Sequence, residues 1–344
     1  MQKIEKKKGD QIPVSLLATN GEVPVGTSAL EKRNTATMLP YWKSENCIQC
    51  NMCALVCPHA VIRPYLVKQG QKVAPDCVLV PALGVPGYSF CVQISPADCT
   101  GCSVCANVCP AKNKALEMRP ASEIYESELK KYNQIKDVIN PQTAFPISSI
   151  KGSQFKKPLF EFSGACAGCG ETPYIKLLTS LFGENLVIAN ATGCSSIYGG
   201  SFPSCPYTTS EKGMGPAWAN SLFEDNAEFG LGLYKAQKEN RVQLTALVKN
   251  LVSNKALGSP LTKLLTEWLN QDKKDNTLAL EITKKLEQEA QNNSVAKALL
   301  NLKSSFVDSY TWVIGGDGWA YDIGFGGLVS KRSQNFLSVG SAAF

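Results

Sequence analysis

Eight of the 14 cysteines fall into two runs of identical spacing. The first is Cys47, Cys50, Cys53 and Cys57, followed by Pro58. The second is Cys99, Cys102, Cys105 and Cys109, followed by Pro110. Both read C-x2-C-x2-C-x3-C-P, the spacing that holds 4Fe–4S clusters. Three thiolates two residues apart, on a loop that wraps one face of a cube, reach three iron corners. The fourth cysteine is expected to begin a helix that points away and so to ligate the neighbouring cluster. This assigns Cys47, Cys50, Cys53 and Cys109 to one cluster, and Cys99, Cys102, Cys105 and Cys57 to the other. Zinc prefers four ligands in two pairs, and the doubled run departs from that pattern. The chemistry such a pair of clusters performs is the passage of single electrons.

The remaining cysteines are less regular. Cys77 and Cys91 stand outside any motif and read as small buried hydrophobes. The one histidine, His59, follows Cys57-Pro58 and reads as a surface residue or one lying behind the ligands. Cys166 and Cys169 form a CxxC pair in a Gly-rich stretch, and Cys194 follows 25 residues after Cys169, at the end of a strand expected over 186–191. Three cysteines on loops fit a third cluster lacking one ligand, a zinc site or a redox dithiol equally well; Cys205 is a candidate fourth ligand. Further on, an apolar strand runs into Gly315-Gly316-Asp317-Gly318-Trp319, with a glycine-rich helix start expected over 323–328. A strand, glycine turn and helix let backbone N–H groups approach a diphosphate while the Asp317 carboxylate holds a divalent cation. The same string also makes a plain tight turn.

The elements that must carry these residues follow from patterning. Residues 60–98 hold short apolar runs and read as an insertion between the two cysteine runs. Residues 120–160 are rich in proline around a charged helical patch, 122–136. A helix is expected over 175–182. Between 234 and 310, apolar residues recur at helical spacing: Leu244, Leu247, Val248 and Leu251 share one face, and Leu261, Leu264, Leu265, Trp268 and Leu269 another. Breaks divide this stretch into three or four helices, read as a packing insert without chemistry.

Composition bounds the rest. Of the 344 residues 44% are hydrophobic and 19% charged, enough to bury real cores. The net charge of +6 is spread along the chain without an arginine-rich stripe, so nucleic-acid binding is not expected. Its best use is docking an acidic electron carrier. No apolar run approaches the roughly 18 residues of a membrane span, and no apolar segment follows the basic N-terminus as in a secretory signal. A cytoplasmic, reducing location is expected, where patterned cysteines bind metal instead of forming disulfides.

Several long strings resemble the pyruvate:ferredoxin (flavodoxin) oxidoreductases, large thiamine-diphosphate enzymes. They are Glu31-Lys32-Arg33, Cys47 to Arg63, Gly168-Cys-Gly-Glu-Thr-Pro-Tyr174, Ala191 to Gly200, Gly215 to Glu228, and Gly316-Asp-Gly-Trp-Ala-Tyr-Asp-Ile-Gly324. Together they span roughly residues 9–328. The resemblance implies that Cys166, Cys169 and Cys194 are three ligands of the cluster nearest the thiamine. It implies that Glu171 and Cys194 contact thiamine diphosphate, and that Gly316, Asp317, Gly318 and Trp319 form its diphosphate and Mg2+ loop. The implied reaction is oxidative decarboxylation of pyruvate to acetyl-CoA and CO2, with electrons leaving through 4Fe–4S clusters to ferredoxin or flavodoxin. A homodimer is implied at full length.

The implied fold is an extended segment over 1–40, an α+β ferredoxin-like two-cluster module over 41–120 and a linker over 121–160. An incomplete α/β thiamine-diphosphate-binding domain over 161–344, with a helical insert over about 234–310, follows. The chain departs from the family in three ways. A fourth ligand for the third cluster is missing. Residues 329–344 do not match what should follow the Gly-Asp-Gly loop. The N-terminal domains that bind pyruvate, coenzyme A and the thiamine pyrimidine have no counterpart. The chain therefore reads as a piece of a longer one, inactive in decarboxylation alone. The alternatives are a stand-alone iron–sulfur electron carrier, or part of an oxidoreductase for another 2-oxoacid.

Overall fold

The computed structural model describes residues 2–16, 21–71, 73, 76–141, 145–201, 203–222, 224–254, 257–274, 276–291, 293–316, 318–319 and 336–340. The chain divides into two compact units, one built on residues 1–184 and 193–216, the other on 185–192 and 217–340.

The first unit contains helix α1 (Gln2–Glu5), strand β1 (Met38–Trp42), helix α2 (Met52–Leu55), strands β2 (Ile62–Lys68), β3 (Val80–Pro81) and β4 (Tyr88–Ile94), helix α3 (Val104–Asn107) and strand β5 (Leu116–Pro120). Helices α4 (Ala121–Ile135), α5 (Ile150–Ser153), α6 (Thr172–Phe182) and α7 (Cys194–Ser196) complete it. Strands β1 and β5 pair antiparallel, with Met38 opposite Pro120 and Trp42 opposite Leu116. Strands β2, β4 and β3 form a second antiparallel sheet in that order. The residues expected as an insertion between the cysteine runs thus build a sheet, and Ile62, Leu66, Phe90, Val92 and Ile94 sit in the core that the cysteines border.

Pro64 is tolerated because β2 is an edge strand, where no ladder donor is needed on the outer side. The Asn140 side chain covers that edge. Its Oδ1 accepts from Leu66 N at 2.7 Å and its Nδ2 donates to the Pro64 carbonyl at 3.2 Å.

Two segments differ from expectation. Residues 121–160 are not a linker: α4 buries Ile124, Glu128 and Ile135. Glu128 is affordable inside because Gln93 Nε2 on β4 donates to it at 2.8 Å and Lys131 pairs with it at 2.7 Å. Helix α4 matches the charged helical patch expected over 122–136; its packing is the new feature, hidden because its apolar face carries about one residue per turn. Nor are residues 1–40 simply extended. Val14, Leu16 and Val23 are exposed, but residues 26–36 form a docked strap. Gly26 N donates to the Tyr207 carbonyl at 2.6 Å and Ser28 N to the Cys205 carbonyl at 3.1 Å.

The second unit holds strands β6 (Leu186–Ala191), β7 (Ala217–Ser221), β8 (Tyr310–Gly315) and β9 (Phe336–Gly340), with helices α8 (Asn226–Ser253), α9 (Ser259–Asn270), α10 (Asn276–Glu289) and α11 (Ser294–Asn301). The sheet is fully parallel, ordered β7-β6-β8-β9. Parallel neighbours need crossovers, and the four helices lie in the connection from β7 to β8.

The helical stretch begins at Asn226 and not at 234, and Tyr310 belongs to β8. The reason is that α8 serves two cores. Near its start Ala227, Phe229 and Leu233 pack with Ala189, Ala191 and Val313 of the sheet. Further along, Leu244, Val248 and Leu251 join Leu261, Leu265, Trp268, Ile282, Leu286 and Leu299. Twenty-eight residues make about 42 Å of helix, long enough for both. Pro260 and the Asn293 side chain mark the starts of α9 and α11; Asn293 Oδ1 accepts from Val295 N at 2.9 Å. Trp268 closes the helical core, fully buried, with Nε1 donating to the Phe306 carbonyl at 2.8 Å.

Candidate metal centres and candidate cofactor loop

Both cysteine runs fold into the same local structure. In the first, Gln49 and Asn51 have φ of 56° and 64°; in the second, Gly101 and Ser103 have 68° and 65°. These left-handed residues curl each loop so that successive cysteines face inward. The backbone N–H of Gln49 donates to Cys47 Sγ at 3.4 Å, and that of Gly101 to Cys99 Sγ at 3.4 Å. The third cysteine of each run lies in a one-turn helix, α2 or α3, and the fourth lies just past its end. The fourth cysteine therefore does not begin a helix, as the sequence reading had it; the short helix itself carries the chain away from the first three.

Two cysteine-lined cavities result. One is lined by Cys47, Cys50, Cys53 and Cys109. The other is lined by Cys57, Cys99, Cys102 and Cys105. Each loop thus sends its last cysteine into the other loop's cavity. Burial, reinforced by the neighbouring thiols, pushes Cys53 up to about 12, with Cys47, Cys50 and Cys109 all contributing. Cys99 is also pushed up to about 12, by burial first and then by Cys57 and Cys102. Cys105 rises too, through burial and through Cys57, Cys53, Cys99 and Cys102, so cysteines of both cavities act on it. At Cys53 and Cys99 a bound cation would offset the cost of a buried thiolate, and each set of four sulfurs fits iron–sulfur ligation.

Cys77 and Cys91 are buried against Tyr65, Val67 and Ile135, away from both cavities. His59 is 2% exposed, so the surface alternative fails. It lines the cavity of Cys57 and Cys99, and its Nδ1 lies 3.1 Å from the Ser163 carbonyl. A carbonyl only accepts, so Nδ1 carries the proton. Burial lowers the His59 pKa.

The third group of cysteines lies in the same unit. Cys166 and Cys194 are exposed and Cys169 is half-buried. Gly168 turns the CxxC loop with φ +75°, and a Cβ there would meet Cys102 Cβ at 3.7 Å and Val104 Cγ2 at 3.8 Å. This loop therefore rests on the second cysteine run. Tyr198, just past α7, lies near Glu171 and Cys169; burial first, and these acidic neighbours next, push its hydroxyl pKa far up. Cys205 is buried and its Sγ donates to the Tyr207 carbonyl at 3.7 Å, a packed position unlike those of Cys166 and Cys194.

The strap ties these pieces together through three consecutive side chains. Glu31 Oε2 accepts from Ser204 Oγ at 2.5 Å, Lys32 Nζ pairs with Asp98 at 2.7 Å, and Arg33 Nη1 donates to the Ser163 carbonyl at 3.0 Å. Their targets precede Cys205, Cys99 and the Cys166 loop respectively.

In the second unit the carboxyl ends of the parallel strands gather the glycine loop, the place where open α/β sheets bind ligands. Asn226, fully buried at the start of α8, donates through Nδ2 to the Ile314 carbonyl at 3.1 Å, and its Oδ1 accepts from Ser221 Oγ at 2.9 Å. It pins β7 to β8. Gly315 is required sterically: a Cβ would lie 2.7 Å from the Trp319 ring and 2.8 Å from Ala191 Cβ. Trp319 is 1% exposed and packs among Ala189, Ala191, Ala227 and Val313, so it shapes the loop from beneath. Among the described residues, no atom lies within 4 Å of where a Cβ at Gly316 or Gly318 would stand. Asp317 and the helix start expected over 323–328 lie outside the described residues, as do residues 329–335 and 341–344 of the divergent tail.

The region that holds the two mutually completed four-cysteine cavities, residues 46–113, matches the family described as a 4Fe–4S dicluster domain. Residues 1–36 match EKR, a domain of unknown function. Over 95% of its length the chain is 47% identical to the pyruvate:ferredoxin oxidoreductase of Moorella thermoacetica, covering 29% of that protein. It is 45% identical to the pyruvate-flavodoxin oxidoreductase of Enterobacter agglomerans, with 94% of this chain and 29% of the relative covered. It is also 47% identical to the mitochondrial pyruvate dehydrogenase [NADP(+)] of Euglena gracilis, with 95% and 18% covered. The chain thus spans less than a third of these relatives.

Sequence reasoning missed Gln49, Asn51, Lys176 and Asn226. An asparagine between two cysteine ligands, where the other run has serine after a glycine, was the available signal for the left-handed turns. Nothing local marks the other two.

Proposed function

We propose that this chain is the electron-transfer part, with a portion of the cofactor site, of a pyruvate:ferredoxin/flavodoxin oxidoreductase. The pair of cysteine-lined cavities carries the reading. Cys47, Cys50, Cys53 and Cys109 hold one 4Fe–4S cluster and Cys57, Cys99, Cys102 and Cys105 the other. Cys166, Cys169 and Cys194 supply three ligands to a third, with the fourth outside this chain. The proximity of Gly168 to Cys102 and Val104 supports an electron route from that loop to the second cysteine run.

Glu171 and Cys194 contact thiamine diphosphate, and the backbone of Gly316 and Gly318 cradles the diphosphate with Asp317 on Mg2+. The absence of a side chain at both glycines, with no described residue close by, supports close approach of a phosphate. Bound there, thiamine diphosphate supplies the electron sink for decarboxylation. Trp319 and Gly315 keep the loop in shape.

Pyruvate and coenzyme A bind to domains or subunits outside this chain, and ferredoxin or flavodoxin collects the electrons in a reducing cytoplasm. The full-length protein is a homodimer. Alone, the chain holds two clusters and lacks decarboxylase activity, because half a cofactor site cannot favour a transition state.

The test is anaerobic iron loading of the pure chain, followed by addition of the missing domains with pyruvate, coenzyme A and thiamine diphosphate. Cluster reduction that needs all of these supports the reading. Acetyl-CoA formation by the chain alone, or a loaded chain that no such addition reduces, overturns it.

A further inference from the structure

Lys176 has no place in the ligand scheme, yet its position is the most demanding of any charge in the first unit. It lies on the buried face of α6, between Thr172 and Thr179, and is 3% exposed. Its Nζ donates to the carbonyls of Ala54, of Leu55 at 2.9 Å and of Cys57 at 3.5 Å. An ammonium has three protons, and all three are aimed at one turn. That turn joins Cys53, in one cavity, to Cys57, in the other.

Carbonyl dipoles satisfy hydrogen bonds without neutralising a charge. Among the described residues no carboxylate forms an ion pair with Lys176, and the charged group acting on it besides the cysteines is Arg63, of the same sign. A buried ammonium with no counter-ion is strongly unfavourable. The anions that justify the position are the thiolates of Cys57 and Cys53 together with the iron–sulfur cores they hold.

We propose that Lys176 is the buried counter-charge of the two clusters, raising their reduction potentials by stabilising the more negative, reduced state. The effect is larger for the cluster ligated by Cys57, whose carbonyl Lys176 touches. This rests on the cluster reading given above. Two features make the lysine suited to it. Its three hydrogen bonds fix the charge in place, so little reorganisation accompanies electron arrival. It also stands one turn into the helix that follows the Cys166–Cys169 loop, so the loop bringing electrons and the charge attracting them are borne by one rigid element.

The experiment is a redox titration of the iron-loaded chain, followed by electron paramagnetic resonance, for the native protein and for Lys176→Gln, Lys176→Met and Lys176→Arg. Gln retains hydrogen-bonding capacity without charge, and Arg retains charge. The expected result is a shift to lower potential in the Gln and Met chains, larger for one cluster than the other, with the Arg chain near native. Native potentials in Gln and Met overturn the proposal, as does an equal shift in all three, which would mark a structural cap of the 54–57 turn.

Should the Gln and Met chains fail to hold iron, the Arg chain decides. Iron kept there assigns the requirement to charge; iron lost in all three overturns the proposal. Failure of the native chain to bind iron at all would instead overturn the cluster reading itself.

Discussion

The two cysteine loops share spacing, backbone conformation and sulfur hydrogen bonds, but they are held in place by different means. In the first loop the left-handed positions carry Gln49 and Asn51, 4% and 3% exposed. Gln49 donates through Nε2 to the Pro81 carbonyl at 2.9 Å and accepts from Leu83 N at 2.8 Å; Asn51 donates to the Lys151 carbonyl at 3.0 Å. In the second loop Gly101 takes the same conformation without a side chain, and its Cα lies so close to the start of β1 that a Cβ would stand 3.0 Å from the Met38 carbonyl. Left-handed backbone costs about 1–2 kcal/mol for most residues. The first loop accepts that strain for two side-chain anchors of about 1 kcal/mol per hydrogen bond. The second avoids the strain at Gly101, though not at Ser103, and relies there on close backbone packing. One local geometry has been reached by different balances of strain and anchorage.

The comparison can be broken most severely by removing ligands. Cys57→Ala is expected to lower iron content by about half and to abolish the same cluster signal that Cys99→Ala abolishes, because the fourth cysteine serves the other loop. If Cys57→Ala instead matched Cys53→Ala, the ligand sets would be confined within each loop. Next in size is Gly101→Val, which adds left-handed strain of at least roughly 1–2 kcal/mol and a collision with Met38. Transfer of iron to a chelator should quicken for the second cluster alone; equal loss from both clusters would deny the loops separate anchorage.

Gln49→Gly should have a smaller effect, since two hydrogen bonds of about 1 kcal/mol each are lost and about 1 kcal/mol of strain is relieved. The same chelator assay should show a modest acceleration, confined to the first cluster. Asn51→Gly loses one bond and relieves less strain, as asparagine tolerates this conformation, so a change under about 0.5 kcal/mol is expected. A large effect there would mean that the Lys151 contact carries more than its geometry suggests.

Much of this arrangement was legible in the chain itself. The doubled cysteine run, the strand at 186–191, the helix over 175–182 (within Thr172–Phe182 of the structure) and the two apolar stripes of the helical stretch all follow from spacing over a few residues. What escaped were features that depend on partners far along the chain. The charged helical patch expected over 122–136 is helix α4, but its packing, through about one apolar residue per turn and a Glu128 held by Gln93 and Lys131, is not visible locally. Residues expected as a plain extended segment include Glu31, Lys32 and Arg33, each reaching a different loop.

The sequence by itself determined the kind of chemistry, because ligand spacing is a local property: three thiols two residues apart define an iron–sulfur loop wherever it is placed. Only the tertiary structure decided which cysteines share a cavity, how each loop is anchored, and where a lone ammonium stands between them. Those outcomes depend on contacts such as Lys176 with the carbonyls of residues 54–57. No local pattern encodes them, since burial and the neighbours that make a charge tolerable exist only once the chain has closed.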